Sequence, residues 1–177
     1  IFQMTCRDRN RIGLQSDLLG ASILGIKNVL CMTGDHVSAG DHKGAKPVYD
    51  IESVQLLKAV DGLNNGKDMS GNELKGTTDF FQGAVVTPEA NPLEPQLMKF
   101  DKKVRAGANF FQTQAIYDIE KFREFMKHAR KFPVKILAGF VVLKSAGMAN
   151  FLNNNVPGIR VPQALIDEIK AAGKEKA

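Results

Sequence analysis

The stretch 27-KNVLCMTGDHVSAGDHKGAKPVYD-50 combines a strand, a sharp break and a long polar loop. Its apolar run, Val29–Met32, is typical of a buried strand. Gly34 allows the backbone to turn sharply at the strand end, which leaves Asp35 at the mouth of the sheet. In parallel α/β proteins the loops after the strands face the ligand crevice, and most have only about 2–6 residues. The longer loop here predicts a binding segment or a lid, followed by a helix from Asp50.

Strand and helix patterns alternate on both sides of this stretch. The predicted strands are 1–6, 28–33, 80–86, 109–114 and 133–139. Helical spacing of apolar residues lies between them, and Asn10 and Asp118 stand where side chains cap helix N-termini. About five successive strand–helix units predict a parallel sheet with right-handed crossovers. Two closures compete at this point, an open doubly wound sheet and a (β/α)8 TIM barrel.

Polar residues at the strand ends favour the barrel. No Gly-rich dinucleotide fingerprint follows the first strand, which weakens the doubly wound alternative. Instead Thr5, Asp35, Thr87 and Gln114 each stand at the carboxyl end of a predicted strand. A barrel builds its site from several strand ends at one face. We therefore expect these four side chains to share one rim.

The composition is that of an ordinary globular protein, with 44% hydrophobic and 24% charged residues. No apolar run approaches the roughly 20 residues that span a bilayer, so no membrane segment is predicted. The net charge of +5 is modest, and nothing in the pattern requires nucleic acid. Cys6 and Cys31 lie in strand patterns and predict buried thiols in a reducing compartment, the cytoplasm. The tail at 174–177 is expected to be mobile.

Six motifs carry a resemblance to a known family. They are TCRDRN at 5–10, TGD at 33–35, AKPVYD at 45–50, TPEANP at 87–92, AGANFFQTQ at 106–114 and KILAGF at 135–140. In this order and spacing they resemble methylenetetrahydrofolate reductase, most closely the short bacterial form of acetogens and related anaerobes. The resemblance implies a flavin-containing TIM barrel of one-carbon metabolism. Its reaction reduces 5,10-methylenetetrahydrofolate to 5-methyltetrahydrofolate by hydride transfer from the reduced flavin.

The resemblance implies a set of cofactor-binding residues. They are Gln3, Thr33, Gly34, Asp35, Tyr49, Thr87, Asn91, Lys99, Lys102 and Lys103. Gln3 stands where a histidine is frequent in the family. Thr87 and Asn91 replace a tyrosine and a histidine of the enterobacterial type, so FMN stands beside FAD as an alternative cofactor. The three lysines follow the fifth family strand and would offer point charges to a cofactor phosphate, unless they form a solvated helix face.

Asp35 and Gln114 are the residues that the resemblance assigns to catalysis and to the folate substrate. A carboxylate beside the flavin opposes added negative charge and so tunes its potential, and it can accept hydrogen bonds from the pterin. The Gln114 amide offers a donor and an acceptor to a pterin edge. Asp35 as a loop or helix-capping residue, and Gln114 as a polar plug in the barrel mouth, are the alternatives. The electron donor would be NAD(P)H or an electron-transferring partner subunit.

Aligned with the family, Ile1 falls in the third barrel strand. Residues 1–177 would then form a single partial TIM-barrel domain without the first, second and last strands, and without the glutamate of the first strand. Such a piece exposes two sheet edges and the inward side chains, for which we take Val29, Cys31, Phe81 and Val85. We expect that it does not fold alone as a soluble monomer and that it belongs to an oligomer or a complex.

Other interpretations use the same residues. The chain could be a non-catalytic barrel subunit, or a pterin-binding barrel of the methyltransferase type without flavin. Asp35, His36, Asp41 and His42 could in principle hold a divalent metal. Their spacing matches no established metal loop, and we predict no metal site.

Overall fold

The computed structural model describes residues 1–156 and 158–174. The strands are β1 Phe2–Thr5, β2 Asn28–Met32, β3 Phe81–Val86, β4 Phe110–Ala115 and β5 Lys135–Gly139. The helices are α1 Arg11–Ile23, α2 Ser53–Asn64, α3 Glu94–Arg105, α4 Ile119–Ala129, α5 Ala146–Asn155 and α6 Gln163–Lys174. The last residues of the predicted mobile tail, 175–177, lie outside the described residues. Among the residues described, no helix combines the length and apolar composition needed to cross a membrane.

The five strands form one parallel sheet in the order β1-β2-β3-β4-β5. Thr5 pairs with Met32, and Cys31 pairs with both Met4 and Ala84. A doubly wound sheet reverses its strand order at a switch point, whereas a barrel wall keeps it. The observed order therefore confirms the parallel α/β prediction and is that of a partial TIM barrel.

The chain divides into two compact units. Unit 1 consists of Ile1–Val85 and Lys99–Phe111, and unit 2 of Val86–Met98 and Gln112–Ala177. A single domain over 1–177 remains a prediction.

Unit 1 corrects the predicted set of inward side chains. Val29 and Cys31 are register partners of Gln82 and Ala84, so they lie on the face opposite Phe81 and Val85. Both are fully buried, and Lys103 of α3 is close enough to Cys31 to influence the pKa of its thiol. Val29 and Cys31 therefore point towards the helices. The prediction that all four side chains point inward was wrong, because the register places Val29 and Cys31 beside Gln82 and Ala84, the positions of β3 that face away from Phe81 and Val85.

The start of α2 is a second correction. The helix begins at Ser53, with Glu52 as its N-cap, whereas the sequence placed Asp50 in its first turn. The Glu52 carboxylate accepts from the Val54 N–H at 3.3 Å, and Gln55 Oε1 accepts from the Glu52 N–H at 2.9 Å. The Glu52 side chain also accepts from the backbone of Gln55, and the reciprocal bonds between Glu52 and Gln55 form a capping box.

Asp50 instead pairs with the start of α1. Its Oδ2 accepts from the Arg11 N–H at 2.9 Å and from Arg11 Nε at 2.8 Å. These contacts with Arg11 lower the pKa of the Asp50 carboxyl to about 2. The caps predicted at Asn10 and Asp118 are confirmed, since both side chains accept from N–H groups of the following helix.

Unit 2 contains a small core built from its C-terminal helices. Ala149, Val161 and Ile166 are buried together, with Tyr117 and Leu143 packed against them. The Asn153 side chain closes the connection between α5 and α6. Its Oδ1 accepts from the Val161 N–H at 2.7 Å, and its Nδ2 donates to the Val161 carbonyl at 3.0 Å. The Asn153 side chain therefore satisfies both backbone polar groups of Val161.

Gly83 in β3 provides a stability test within unit 1. A Cβ at this position would overlap the ring of Phe110, which is buried and stacks on Phe81. We expect Gly83→Ala to destabilise the protein by about 1–3 kcal/mol, because the ring must move. The measurement is urea unfolding of the natural polypeptide.

Gly20→Ala is the matched control for this experiment. Gly20 lies on the exposed side of α1, and a Cβ there meets no atom within 4 Å. Alanine at a helix interior should stabilise by about 0.5–1 kcal/mol. Equal unfolding midpoints for the two variants would contradict the packing of Phe110 over Gly83.

Candidate functional site

An open cleft of about 460 Å³ lies at the carboxyl end of β2 in unit 1. It is lined by Thr33, Gly34, Tyr49, Asp50, Ile51, Glu52 and Gln55. Three of these residues were predicted to contact a cofactor. The structure therefore brings Thr33, Gly34 and Tyr49 together around one opening.

The turn at Gly34 leaves little room for a side chain. Its φ is +90°, and a Cβ would stand 3.0 Å from the Cβ of Thr5 and 3.2 Å from the Cβ of Arg7. Left-handed φ and close approach both require glycine here. The backbone of the turn is thus packed directly against the end of β1.

Tyr49, at the other end of the loop, stabilises this turn through hydrogen bonds of its hydroxyl. Its hydroxyl donates to the Asp35 carbonyl at 2.8 Å and more weakly to the Gly34 carbonyl at 3.4 Å. Tyr49 has φ of +43°, a conformation unusual for a residue with a side chain. Such a strained residue persists where surrounding contacts determine it, frequently at functional sites.

Thr33 and Arg7 add two further contacts. Thr33 Oγ1 accepts from the Ser53 N–H at 3.3 Å, which joins the end of β2 to the start of α2. Arg7 Nη1 donates to the Asp35 carbonyl at 3.4 Å. The main chain of Asp35 is therefore held on two sides while its side chain is exposed.

The histidines of this loop do not assemble a metal site. His36 caps a short 3₁₀ turn at Val37–Ala39, where its Nδ1 lies 2.9 Å from Ser38 Oγ. Within 1–156 and 158–174, no group of three His, Cys, Asp or Glu side chains is arranged to hold a metal ion. The sequence did not predict the 3₁₀ turn, whose Val37 is buried and anchors the loop.

The three candidate phosphate-binding lysines have different surroundings. Lys99 Nζ is paired with Glu52 Oε2 at 3.1 Å, at the edge of the cleft, and Lys102 is exposed. Lys103 is only 6% exposed, and its Nζ donates to the Val85 carbonyl at 2.6 Å. Burial, together with the nearby charge of Lys99, lowers the pKa of Lys103 to about 8. Lys103 therefore lies neither on a solvated face nor in the cleft.

Gln3 also lies outside the residues that line the cleft. Its side chain is exposed, and it pairs in register with Leu30 of β2. Its role as a flavin contact remains a prediction.

Unit 2 holds Thr87, Asn91 and Gln114. Asn91 and Gln114 are exposed and Thr87 is partly buried. Atoms of Thr87 and Gln114 each lie 3.9 Å from the position that a Cβ of Gly158 would take. The structure thus brings these two predicted residues to the same glycine, while the shared rim with Thr5 and Asp35 remains a prediction.

Sequence reasoning missed the supports of Gln114. The Thr113 hydroxyl donates to the Gln114 carbonyl at 2.8 Å and accepts from the Gly139 N–H at 2.7 Å. Glu52 and Gln55, which line the cleft, were missed as well. Their spacing matches a capping box, and that signal could have located them.

A parallel sheet in sequence order, with a cleft at a strand's carboxyl end, is the arrangement of a (β/α)-barrel type of protein. Within that class, the family model described as methylenetetrahydrofolate reductase matches residues 1–177. The chain belongs to the methylenetetrahydrofolate reductase family.

Individual relatives are distant and longer. A probable methylenetetrahydrofolate reductase (NADPH) of Caenorhabditis elegans is 22% identical over 96% of this chain and 24% of its own length. Methylenetetrahydrofolate reductase 2 of Schizosaccharomyces pombe is 24% identical over 97% of this chain and 27% of its length. A 5,10-methylenetetrahydrofolate reductase of Pectobacterium carotovorum is 28% identical over 78% of this chain and 42% of its length. The chain thus spans less than half the length of these curated relatives.

The Gly34 turn can be tested against a matched glycine. Gly71 has a similar φ of +86°, but a Cβ there meets no atom within 4 Å. Gly71→Ala should therefore destabilise by about 1–2 kcal/mol from the left-handed backbone alone. Gly34→Ala should lose at least about 1 kcal/mol more, because its Cβ also crowds Thr5 and Arg7. Urea unfolding measures both, and equal losses would disprove the close approach at Gly34.

Lys103 predicts a pH dependence of stability. Its pKa of about 8 in the folded protein lies below the value near 10.4 of an unfolded lysine. Above pH 8 the unfolded chain binds more protons, so the free energy of unfolding rises with pH, by about 1 kcal/mol between pH 8 and 9. Lys103→Met should lack this rise. Urea unfolding at the two pH values measures it.

Lys102→Met, on the exposed side of the same helix, is the control and should keep the wild-type rise. Cysteine thiols that ionise only in the unfolded chain lower the free energy of unfolding as the pH rises. This contribution is the same in all variants, so it cancels when the rise in one variant is subtracted from that in another. An identical rise in wild type and Lys103→Met would show that Lys103 does not titrate in this way.

Proposed function

We propose that this chain provides cofactor and substrate contacts of a methylenetetrahydrofolate reductase. The reaction would be the flavin-dependent reduction of 5,10-methylenetetrahydrofolate to 5-methyltetrahydrofolate. The observation that carries the proposal is the cleft at Thr33, Gly34 and Tyr49, in a chain of this family. It lies where barrel enzymes bind their ligands, at a strand's carboxyl end.

The residues of the cleft fit a flavin. Because Gly34 has no Cβ, its turn packs closely against the end of β1. The backbone of this turn would approach one side of a planar ring. Thr33, Gly34 and Tyr49 would hold the cofactor, with Lys99 available near its edge. A bound flavin supplies hydride chemistry at the methylene carbon, which no side chain can supply. FAD is the favoured form, with FMN as the alternative.

Asp35 and Gln114 have the chemical properties that the remaining tasks require. The Asp35 carboxylate would oppose negative charge near the cofactor and accept hydrogen bonds from the pterin amino group. Its carbonyl accepts hydrogen bonds from Tyr49 and Arg7, so the backbone position that carries the side chain is held in place. The Gln114 amide would donate to and accept from the pterin edge. Both residues would orient the bound folate so that its methylene carbon is well placed for hydride transfer.

The source of electrons is part of the proposal. The relative from C. elegans carries NADPH in its name, which supports a reduced nicotinamide as the donor. An electron-transferring partner subunit is the alternative. Reduction of the bound flavin by NADPH or NADH in a stopped-flow experiment distinguishes the two.

Asp35→Asn tests the proposal in the natural polypeptide. The amide is nearly isosteric, so fold and flavin content should be unchanged. Loss of the negative charge should make the flavin easier to reduce. Folate turnover should fall at least tenfold, equivalent to about 1.4 kcal/mol. The measurements are the flavin potential and the steady-state kinetics.

Asp41→Asn, in the same exposed loop, is the control and should change neither quantity. An unchanged potential together with unchanged folate kinetics would remove Asp35 from the site. A natural polypeptide that shows no flavin absorption, even after reconstitution with FAD or FMN, would overturn the proposal in favour of a barrel without flavin.

A further inference from the structure

Glu89 joins two strand-end loops of unit 2. It lies in the loop between β3 and α3, and its Oε1 accepts from the N–H groups of Tyr117 at 2.5 Å and Asp118 at 2.7 Å. Those donors belong to the loop between β4 and α4. Hydrogen bonds from N–H groups to a carboxylate are roughly twice as strong as neutral ones. One side chain therefore ties the two loops together at two points.

Tyr117 extends the connection to a third loop. Its hydroxyl donates to the Val141 carbonyl at 2.9 Å, in the segment that follows β5. Its ring lies 6.3 Å from that of Phe140 and packs against the Ala149 core. Burial, and secondarily the charge of Glu89, raise the pKa of Tyr117, so the hydroxyl keeps its proton. The loops after β3, β4 and β5 are thus linked through Glu89 and Tyr117.

Capping of α4 does not explain Glu89. The helix already has its own cap, because Asp118 Oδ1 accepts from the N–H groups of Glu120 and Lys121 at 3.1 Å each. The two N–H groups that Glu89 receives precede the helix. Its contacts therefore set where the loop lies.

The two joined loops are the ones that follow Thr87 and Gln114. Thr87 stands two residues before Glu89, and Gln114 stands three residues before Tyr117. Thr113 and Gly139 hold the Gln114 main chain from its strand side. Glu89 holds the same segment from its loop side, without contacting Gln114 itself in any of the hydrogen bonds described.

We infer that Glu89 is a positioning residue that, with Tyr117, fixes the Gln114 segment relative to Thr87 and so sets the affinity for the folate substrate. The inference rests on the proposed function, in which Gln114 contacts the pterin. Glu89 works through the N–H groups it binds, so an acceptor oxygen at this position should suffice. Its negative charge is not required for the reaction.

The test compares Glu89→Ala with Glu89→Gln in the natural polypeptide. Glu89→Ala removes the acceptor and should raise the KM for methylenetetrahydrofolate at least tenfold, with flavin content and flavin reduction by the electron donor unchanged. Glu89→Gln keeps an acceptor oxygen and should restore KM to within about threefold of wild type. Glu94→Ala, an exposed acidic residue at the start of α3, is the control and should behave as wild type.

Two kinetic outcomes would overturn the inference. One is a KM in Glu89→Ala equal to that of wild type. The other is a loss of flavin reduction equal to the loss of folate turnover, which a general structural defect would produce.

A second measurement does not depend on activity. Amide hydrogen exchange at Tyr117 and Asp118 should be at least tenfold faster in Glu89→Ala than in Glu89→Gln, and the increase should extend to Gln114. Unchanged exchange would disprove the positioning role even in a protein without flavin. If exchange is faster in Glu89→Ala while the wild-type polypeptide neither binds flavin nor turns over folate, the link between the loops is supported and the proposed function is disproved.

Discussion

The close approach of the Gly34 turn to the end of β1 is the constraint on which the candidate site depends. A Cβ on Gly34 would crowd the Cβ atoms of both Thr5 and Arg7. The chain therefore leaves β2 flat against its neighbour, and the Tyr49 hydroxyl holds the Asp35 carbonyl in that position. Thr33, Gly34 and Tyr49 surround the cleft as a consequence. An unusual backbone at Tyr49 is maintained because it completes this arrangement.

Around the strand ends, polar side chains make the backbone hydrogen bonds that regular secondary structure does not provide there. Irregular segments have no ladder or helix to satisfy their N–H and carbonyl groups, so polar side chains must do so. Glu89, Thr113 and Tyr117 do this in unit 2, and Tyr49 and Thr33 do it in unit 1. The same bonds fix loops that carry predicted ligand contacts. Positioning of the site and satisfaction of the backbone are therefore achieved by one set of residues.

Lys103 shows how different the surroundings of neighbouring lysines on one helix can be. A lysine on a helix near a predicted phosphate suggested a cofactor contact, yet its Nζ donates to the Val85 carbonyl inside unit 1. A buried ammonium is unfavourable, and its lowered pKa expresses that cost. The hydrogen bond from Lys103 to the Val85 carbonyl offsets part of this cost. Lys99, one helical turn earlier, remains at the edge of the cleft through Glu52.

The sequence by itself determined the strand and helix pattern, the caps at Asn10 and Asp118, and the turn at Gly34. These follow from local rules of periodicity, capping and backbone conformation, which act within a few residues. The order of the strands and the family also followed from the sequence, because its six motifs occur in the order and spacing that the family has. Only the tertiary structure decided that Val29 and Cys31 face the helices, that Asp50 binds Arg11, and that Glu89 holds Tyr117. Each of these depends on which residues distant in the chain come together, and local patterns do not encode that.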